Sequence, residues 1–411
     1  MRVLFVTHFF PPEELSAAFL AFEFATALVA RGHQVDVLTG FPNWPGGSAF
    51  PGYSSRRFAS EVNDGVTVHR LPFLASPNGG FIRRALDFKS FQLLAALRGR
   101  RLPRPDLVYV LVPPNEDALV ARELALHFKC AYVPNIQDVQ PDTAIALGYL
   151  RNRLLISHLR RQEAIVYRNA DCVVAIGESM KRRLVDKGIP AERIEVLSNW
   201  INPSDIVPLS RTNPLRLEWR IPEERFVVLY AGTFGRIHNV PILLEVARRL
   251  KETNALFLLV GQGYDFEAVA AAARREDVNN VVVKPFVPRS RLSELQSLAD
   301  LSVVLVRGGY GNTSVPSKVL GYMSAARPVL GSVDADSDSA EMIRDADCGE
   351  LVPPDAADLL ADGVLAAMSN PELARARGEN GRRFVEERAS AEAVLRRGVN
   401  LLENIVARRN R

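Results

Sequence analysis

Short apolar runs alternate with amphipathic stretches through the first half of the chain. Residues 1–7, 35–40, 66–72, 106–112, 131–137, 172–177 and 194–199 are rich in β-branched and aromatic residues and predict strands, with helices filling the gaps. The clearest helix covers 17–31, where Phe19, Leu20, Phe22, Phe24, Ala25, Leu28 and Val29 supply an apolar face ahead of an Arg31-Gly32-His33 stop. Strands that are apolar throughout are buried on both faces, so this alternation predicts a parallel, doubly wound sheet. Residues 200–215 lose the period: Trp200-Ile201-Asn202-Pro203, Pro208, Asn213 and Pro214 punctuate them, and a hinge is expected there. Strands then resume at 225–232, 255–261, 281–287, 301–307 and 328–332. The pattern predicts an α/β protein of two Rossmann-like domains, residues 1–203 and 204–389, with parallel sheets facing a cleft. A last amphipathic helix within 390–411 either ends the second domain or crosses back onto the first.

Length supports the division, since 411 residues exceed the roughly 250–300 at which one core stops growing. A net charge of +4 suits an anionic substrate or an anionic membrane surface and does not call for nucleic acid. The three cysteines, Cys130, Cys172 and Cys348, lie far apart, which leaves neither a disulfide framework nor a CxxC metal site and predicts a reducing compartment. The first apolar run is too short for a signal peptide, and no window approaches about 18 uninterrupted apolar residues, so a cytoplasmic protein is expected.

The segment Val315-Pro316-Ser317-Lys318-Val319-Leu320 carries the most chemistry. It predicts a helix whose first turn holds Lys318, where unpaired N–H groups and the Ser314 and Ser317 hydroxyls add to a full positive charge. An anion such as a nucleotide diphosphate fits that arrangement. Tyr230-Ala231-Gly232-Thr233-Phe234-Gly235-Arg236 runs from a strand into a loop, with Gly235 letting backbone approach phosphate and Arg236 able to bind it bidentately. Gly261 and Gly263 follow the next strand in a Gly-x-Gly turn, which serves equally as a tight turn. In the first half, residues 8–16 join the first strand to the first helix and so belong to the cleft rim, with Pro12, Glu13 and Ser16 on the acceptor side. His8 is a candidate ligand or general base there, and Asp138, just after another strand, is either an acid or base facing the acceptor or a helix N-cap. No zinc spacing occurs, and Ile176-Gly177-Glu178-Ser179-Met180 lacks the second glycine of a nucleophile elbow, which weighs against hydrolases and metalloenzymes. Residues 81–101 mix aromatic, aliphatic and basic residues at helical spacing, which suits either a membrane surface or, through Phe88, Phe91, Leu94 and Ala95, a core helix.

Taken together, the Phe9-Phe10-Pro11-Pro12 loop, Arg31 to Gly40 with Pro42-Asn43-Trp44-Pro45, Gln137-Asp138 with Pro141-Asp142, Ser198-Asn199-Trp200, Tyr230-Ala231-Gly232, Val260-Gly261-Gln262-Gly263, Asn280-Val281 and Pro316-Ser317-Lys318 resemble the retaining glycosyltransferases of family 4 with the GT-B fold. The resemblance spans nearly the whole chain and looks like the bacterial colanic acid, O-antigen and capsule branch. It implies transfer of a sugar, with retention, from a nucleotide-sugar (often a UDP-sugar) to a glycan or polyprenyl-diphosphate-linked acceptor. No metal and no cofactor beyond that co-substrate are implied. Gly235, Arg236, Ser317 and Lys318 would face the diphosphate, Gly261 and Gly263 the base, and Asp138 with the 8–16 loop the acceptor. The expected place is the inner face of the plasma membrane, with peripheral contact through 81–101. Many family members carry two glutamates spaced eight apart; Thr313 and Gly321 stand at those positions here, and Glu341 is a substitute ribose ligand. A nucleotide-sugar 2-epimerase and a non-catalytic GT-B subunit share the architecture and remain as alternatives.

Overall fold

The computed structural model describes all residues except 45, 77–79, 147, 276–277 and 312–317, so the expectations for Thr313, Ser314 and Ser317 fall outside the described residues. The chain divides into two compact units, residues 1–198 with 395–411, and residues 199–394.

In the first unit β1 (Arg2–Val6), β2 (Gln34–Gly40), β3 (Ala59–Asn63), β4 (Val66–Leu71), β5 (Leu107–Val112), β6 (Ala131–Ile136), β7 (Val173–Ala175) and β8 (Ile194–Val196) make one sheet in the order β3-β4-β2-β1-β5-β6-β7-β8. Every pairing is parallel except β3 against β4. β5 is buried at all six positions, as its Leu-Val-Tyr-Val-Leu-Val sequence predicts. β3 was not foreseen, because Ala-Ser-Glu-Val-Asn on a sheet edge offers no buried run and its Val62 points to solvent. The chain steps outward from β1 through β2 to β4 and re-enters beside β1 at β5. A crevice therefore opens past the C-terminal ends of β1 and β5.

Residues 395–411 of the last helix, Ala391–Arg409, belong to this unit. Val399, Leu402 and Ile405 are buried, and Gly398 lies so close that an added Cβ would stand 2.9 Å from Phe24 and 3.0 Å from Leu197. Polar ties lie at both ends of this stretch: His33 Nε2 meets Glu403 at 2.9 Å, and Arg409 pairs with Asp171.

In the second unit β9 (Phe226–Thr233), β10 (Ala255–Gln262), β11 (Val281–Lys284), β12 (Leu301–Leu305), β13 (Val329–Ser332) and β14 (Gly349–Val352) form an all-parallel sheet in the order β11-β10-β9-β12-β13-β14. The order is that of a Rossmann sheet, with its switch point between β9 and β12. Side chains alternate between two cores: Val227, Leu229 and Ala231 pack with Tyr322 and Met323, whereas Val228 and Tyr230 pack with Leu243 and Leu360. β14 escaped the sequence reading because Gly-Glu-Leu-Val is short and only half buried.

Leu402 is fully buried against the first unit. Leu402→Ala is expected to cost about 2–5 kcal/mol in chemical denaturation. That loss should appear in the unfolding of the first unit, with the second unit's transition unchanged.

Candidate functional site

The switch point of the second sheet gathers the charged residues of interest. Lys318 opens the helix Lys318–Ser324, and its ammonium donates to Tyr230 Oη at 3.1 Å while lying 4.6 Å from that ring's centroid. Tyr230 donates in turn to Thr233 O at 2.7 Å, at the end of β9. A Cβ on Gly232 would stand 3.0 Å from Lys318 Nζ, so the glycine leaves the ammonium its place beside the loop. Desolvation alone lowers the Lys318 pKa to about 7, and no carboxylate faces it among the described residues. His238 shares this surrounding. Burial, then the charge of Lys318, push its pKa down to about 4 against the opposing effect of a hydrogen bond between Nδ1 and Leu305 O at 3.1 Å.

Arg236 lies in the same β9 loop, where it donates to Tyr264 Oη at 2.8 Å and stacks 4.4 Å above the Tyr264 ring. Gly261 and Gly263 have a packing reason to be glycine. A Cβ on Gly261 would fall 1.9 Å from Gly232 O, and one on Gly263, at φ +140°, would fall 2.8 Å from Phe234 O. The β10 turn therefore lies tightly against the loop that carries Gly235 and Arg236. Arg307 donates to Asn239 Oδ1 at 3.0 Å, tying the β9 and β12 loops together, and Asp355 after β14 accepts from Gly308 N at 3.2 Å. Asp334 accepts from Gly309 N at 2.9 Å and Gly311 N at 3.0 Å. Glu341 sits in the first turn of the helix Asp338–Asp345, after β13. Gly321 is buried, and a Cβ there would meet Ile206 and Gln296 only at ordinary contact distance.

The sequence singles out Lys318, Gly235 and Arg236, which the structure places around this switch point with Tyr230, and it gives no sign of His238 or Tyr264 as their neighbours. His238 lies two residues beyond Arg236 in the same loop.

The loop after β1 is held by buried charge. His8 is 4% exposed, with Nε2 3.2 Å from Asp87 and Nδ1 3.5 Å from Asp117, a residue in the first turn of the helix Asn115–Phe128 after β5. Burial disfavours its charged form, but hydrogen bonds and charges from Asp117 and Asp87 outweigh that and raise its pKa to about 9. Phe9, Phe73, Phe88 and Phe91 close around the ring. Glu13 is buried too, and its Oε1 accepts from Asn43 N and Trp44 N at 3.0 Å each. Burial raises the Glu13 pKa despite those bonds. Arg70 donates to Pro11 O and bonds Glu61 at 2.7 Å. Instead of lining the rim, His8 and Glu13 point inward and fix the loop, which leaves Pro12 and Ser16 exposed. Asp138 follows β6 and is half-buried, while Asp142 nearby bonds Lys187 at 2.8 Å and Arg183 at 3.0 Å. All three cysteines are free and buried. No cluster of metal-ligating side chains exists among the described residues.

Two Rossmann-like units define an α/β protein of the GT-B fold. Residues 20–200 match the family described as Glycosyl transferase 4-like domain, and residues 213–384 match Glycosyl transferases group 1. Each half of the chain thus matches a glycosyltransferase family. WcaI of Escherichia coli, named for colanic acid biosynthesis, is 24% identical over 408 residues, spanning 97% of this chain and 99% of that protein. WbjE of Pseudomonas aeruginosa, named as a glycosyltransferase, is 24% identical over 56% of this chain and 57% of its own. Among solved structures, sucrose-phosphate synthase of Thermosynechococcus elongatus superposes with a TM-score of 0.75 at 17% identity, covering 99% of each chain. Anabaena HepE in complex with UDP superposes with a TM-score of 0.71 at 14% identity, over 98% of this chain and 100% of that one.

The folded pKa of His8, about 9, lies above the ordinary 6.5. The stability it contributes is therefore fully present below pH 6.5 and is lost as pH rises through 9. Denaturation midpoints of the wild type should fall across that window, by an amount on the order of 3 kcal/mol. His8→Gln should lower stability at pH 6 and flatten the slope between pH 6.5 and 9.

Proposed function

We propose that this glycosyltransferase moves a sugar, with retention, from a UDP-sugar to a glycan or polyprenyl-diphosphate-linked acceptor in cell-surface polysaccharide assembly. The observation that carries the donor site is the desolvated ammonium of Lys318, which no carboxylate faces among the described residues. A part-buried, desolvated cation held by a phenol hydroxyl gains most from an anion of two phosphates. The UDP bound in Anabaena HepE supports uridine as the base, and the naming of WcaI supports the pathway class.

In this reading the bond from the anomeric carbon to the diphosphate oxygen breaks, and negative charge builds on that oxygen. Lys318 and Arg236 stabilise it, with the Gly235 backbone beside them. Gly261 and Gly263 border the base, with Glu341 on the ribose. The acceptor hydroxyl forms the new bond and gives its proton to Asp138. The loop that His8 and Glu13 hold in place presents Pro12 and Ser16 to the acceptor.

A thermal-shift panel of UDP, GDP, dTDP, ADP and CMP tests the donor site, because a ligand that binds only the folded state raises Tm. UDP is expected to give the selective shift. Lys318→Met should abolish it while leaving the free protein's Tm unchanged or higher, since a lysine whose folded pKa is depressed opposes folding below pH 10.5. UDP affinity of the wild type should weaken as pH rises from about 7 to 9, as the ammonium loses its proton in the free protein. An unaltered UDP shift in Lys318→Met would end the phosphate assignment.

A further inference from the structure

The helix Phe81–Gly99 buries Asp87, Phe91 and Ala95, yet it turns Leu86, Leu93 and Leu97 outward at 54%, 62% and 50% exposure. At 100° per residue those three leucines fall within about 40° of one another, a single stripe along the helix. Exposed Lys89 borders one edge and Arg83 the other, with Arg101 just past the helix end. From residue 74 to 105 the sole acid is Asp87, whose carboxylate faces inward to His8 and accepts from Ser76 N.

A second helix of the same unit repeats the chemistry. Tyr149 and Leu154, at 64% and 83% exposure, stand at the start of the helix Arg153–Arg168 beside exposed Arg151 and Arg153. No acid occurs between residues 143 and 162. Arg83, Arg84, Arg101, Arg151 and Arg153 have no ion-pair partner among the described residues. Both helices pack on the helix Asn115–Phe128, so the two patches belong to one layer on one side of the sheet.

We infer that this layer is a membrane-docking face, on which the Leu86–Leu93–Leu97 stripe and the Tyr149–Leu154 end enter the interface of an anionic bilayer while the flanking arginines meet its headgroups. Exposed leucines between unpaired cations, with no exposed acid on either segment, complement a surface that is apolar beneath and negative above. A protein partner would need an acidic, leucine-receiving groove of matching length. The inference rests on the lipid-linked acceptor proposed above, and it adds the surface that brings the enzyme to that acceptor.

Vesicle co-sedimentation with the full chain tests it, using phosphatidylcholine alone and phosphatidylcholine with about 30 mol% phosphatidylglycerol. Binding is expected only to the anionic vesicles, and it should fall as salt rises from about 0.1 to 0.5 M. The triple change Leu86→Ser, Leu93→Ser and Leu97→Ser should weaken partitioning about tenfold or more. Arg151→Glu with Arg153→Glu should weaken it separately. Leu217→Ser, at an equally exposed leucine of the other unit, should leave it unchanged. The UDP thermal shift, read on every variant, should persist, which separates failure of this face from failure of the donor site. Equal binding to neutral vesicles, binding that survives the leucine changes, or a concentration-dependent dimer that those changes abolish without any vesicle binding would each overturn the inference.

Discussion

A positive charge that no carboxylate faces among the described residues organises the second unit. Folding places the Lys318 ammonium at the switch point of a parallel sheet, against the Tyr230 ring and beside a histidine that burial, with the charge of Lys318 added, keeps neutral. Such a group opposes folding of the free protein, and a sequence selected for stability alone would replace it. The surrounding architecture serves to keep it there. Gly232 leaves it room, Gly261 and Gly263 let the β10 turn press the β9 loop into shape, and Asp355 and Asp334 tie the neighbouring loops by their backbone N–H groups.

The first unit solves a different problem at the equivalent place. Its switch point, between β1 and β5, is filled by an imidazole between two carboxylates, enclosed by four phenylalanines. There opposite charges lie within 3.2–3.5 Å of one another and anchor the loop from 8 to 16. One unit thus holds a cation that no carboxylate faces among the described residues, and the other sets its cation between two carboxylates beside the loop.

Which of these features the sequence discloses follows from where the relevant forces act. Buried parallel strands such as Leu107–Val112 are legible because burial on both faces demands an unbroken apolar run. Ala59–Asn63 and Gly349–Val352 are strands because a neighbour offers its edge, and nothing in their own residues says so. The placing of Lys318, Gly235 and Arg236 at strand ends and helix starts follows from loop position and residue type. Glu13 and His8 had the right position but the wrong direction, since the partners that draw them inward, Asn43, Asp87 and Asp117, come from distant parts of the chain. Asp87 itself reads as one solvated acid on a basic amphipathic helix until His8 is placed beneath it.

The return of residues 395–411 to the first unit sets an order on biosynthesis. As the chain leaves the ribosome, the first unit's surface at Phe24 and Leu197 must wait, uncovered, until the second unit has been made in full. At about 5–20 residues per second that interval is on the order of ten seconds or more. The unit synthesised first is therefore the unit completed last, and for that interval the nascent chain displays an apolar surface suited to chaperone recognition.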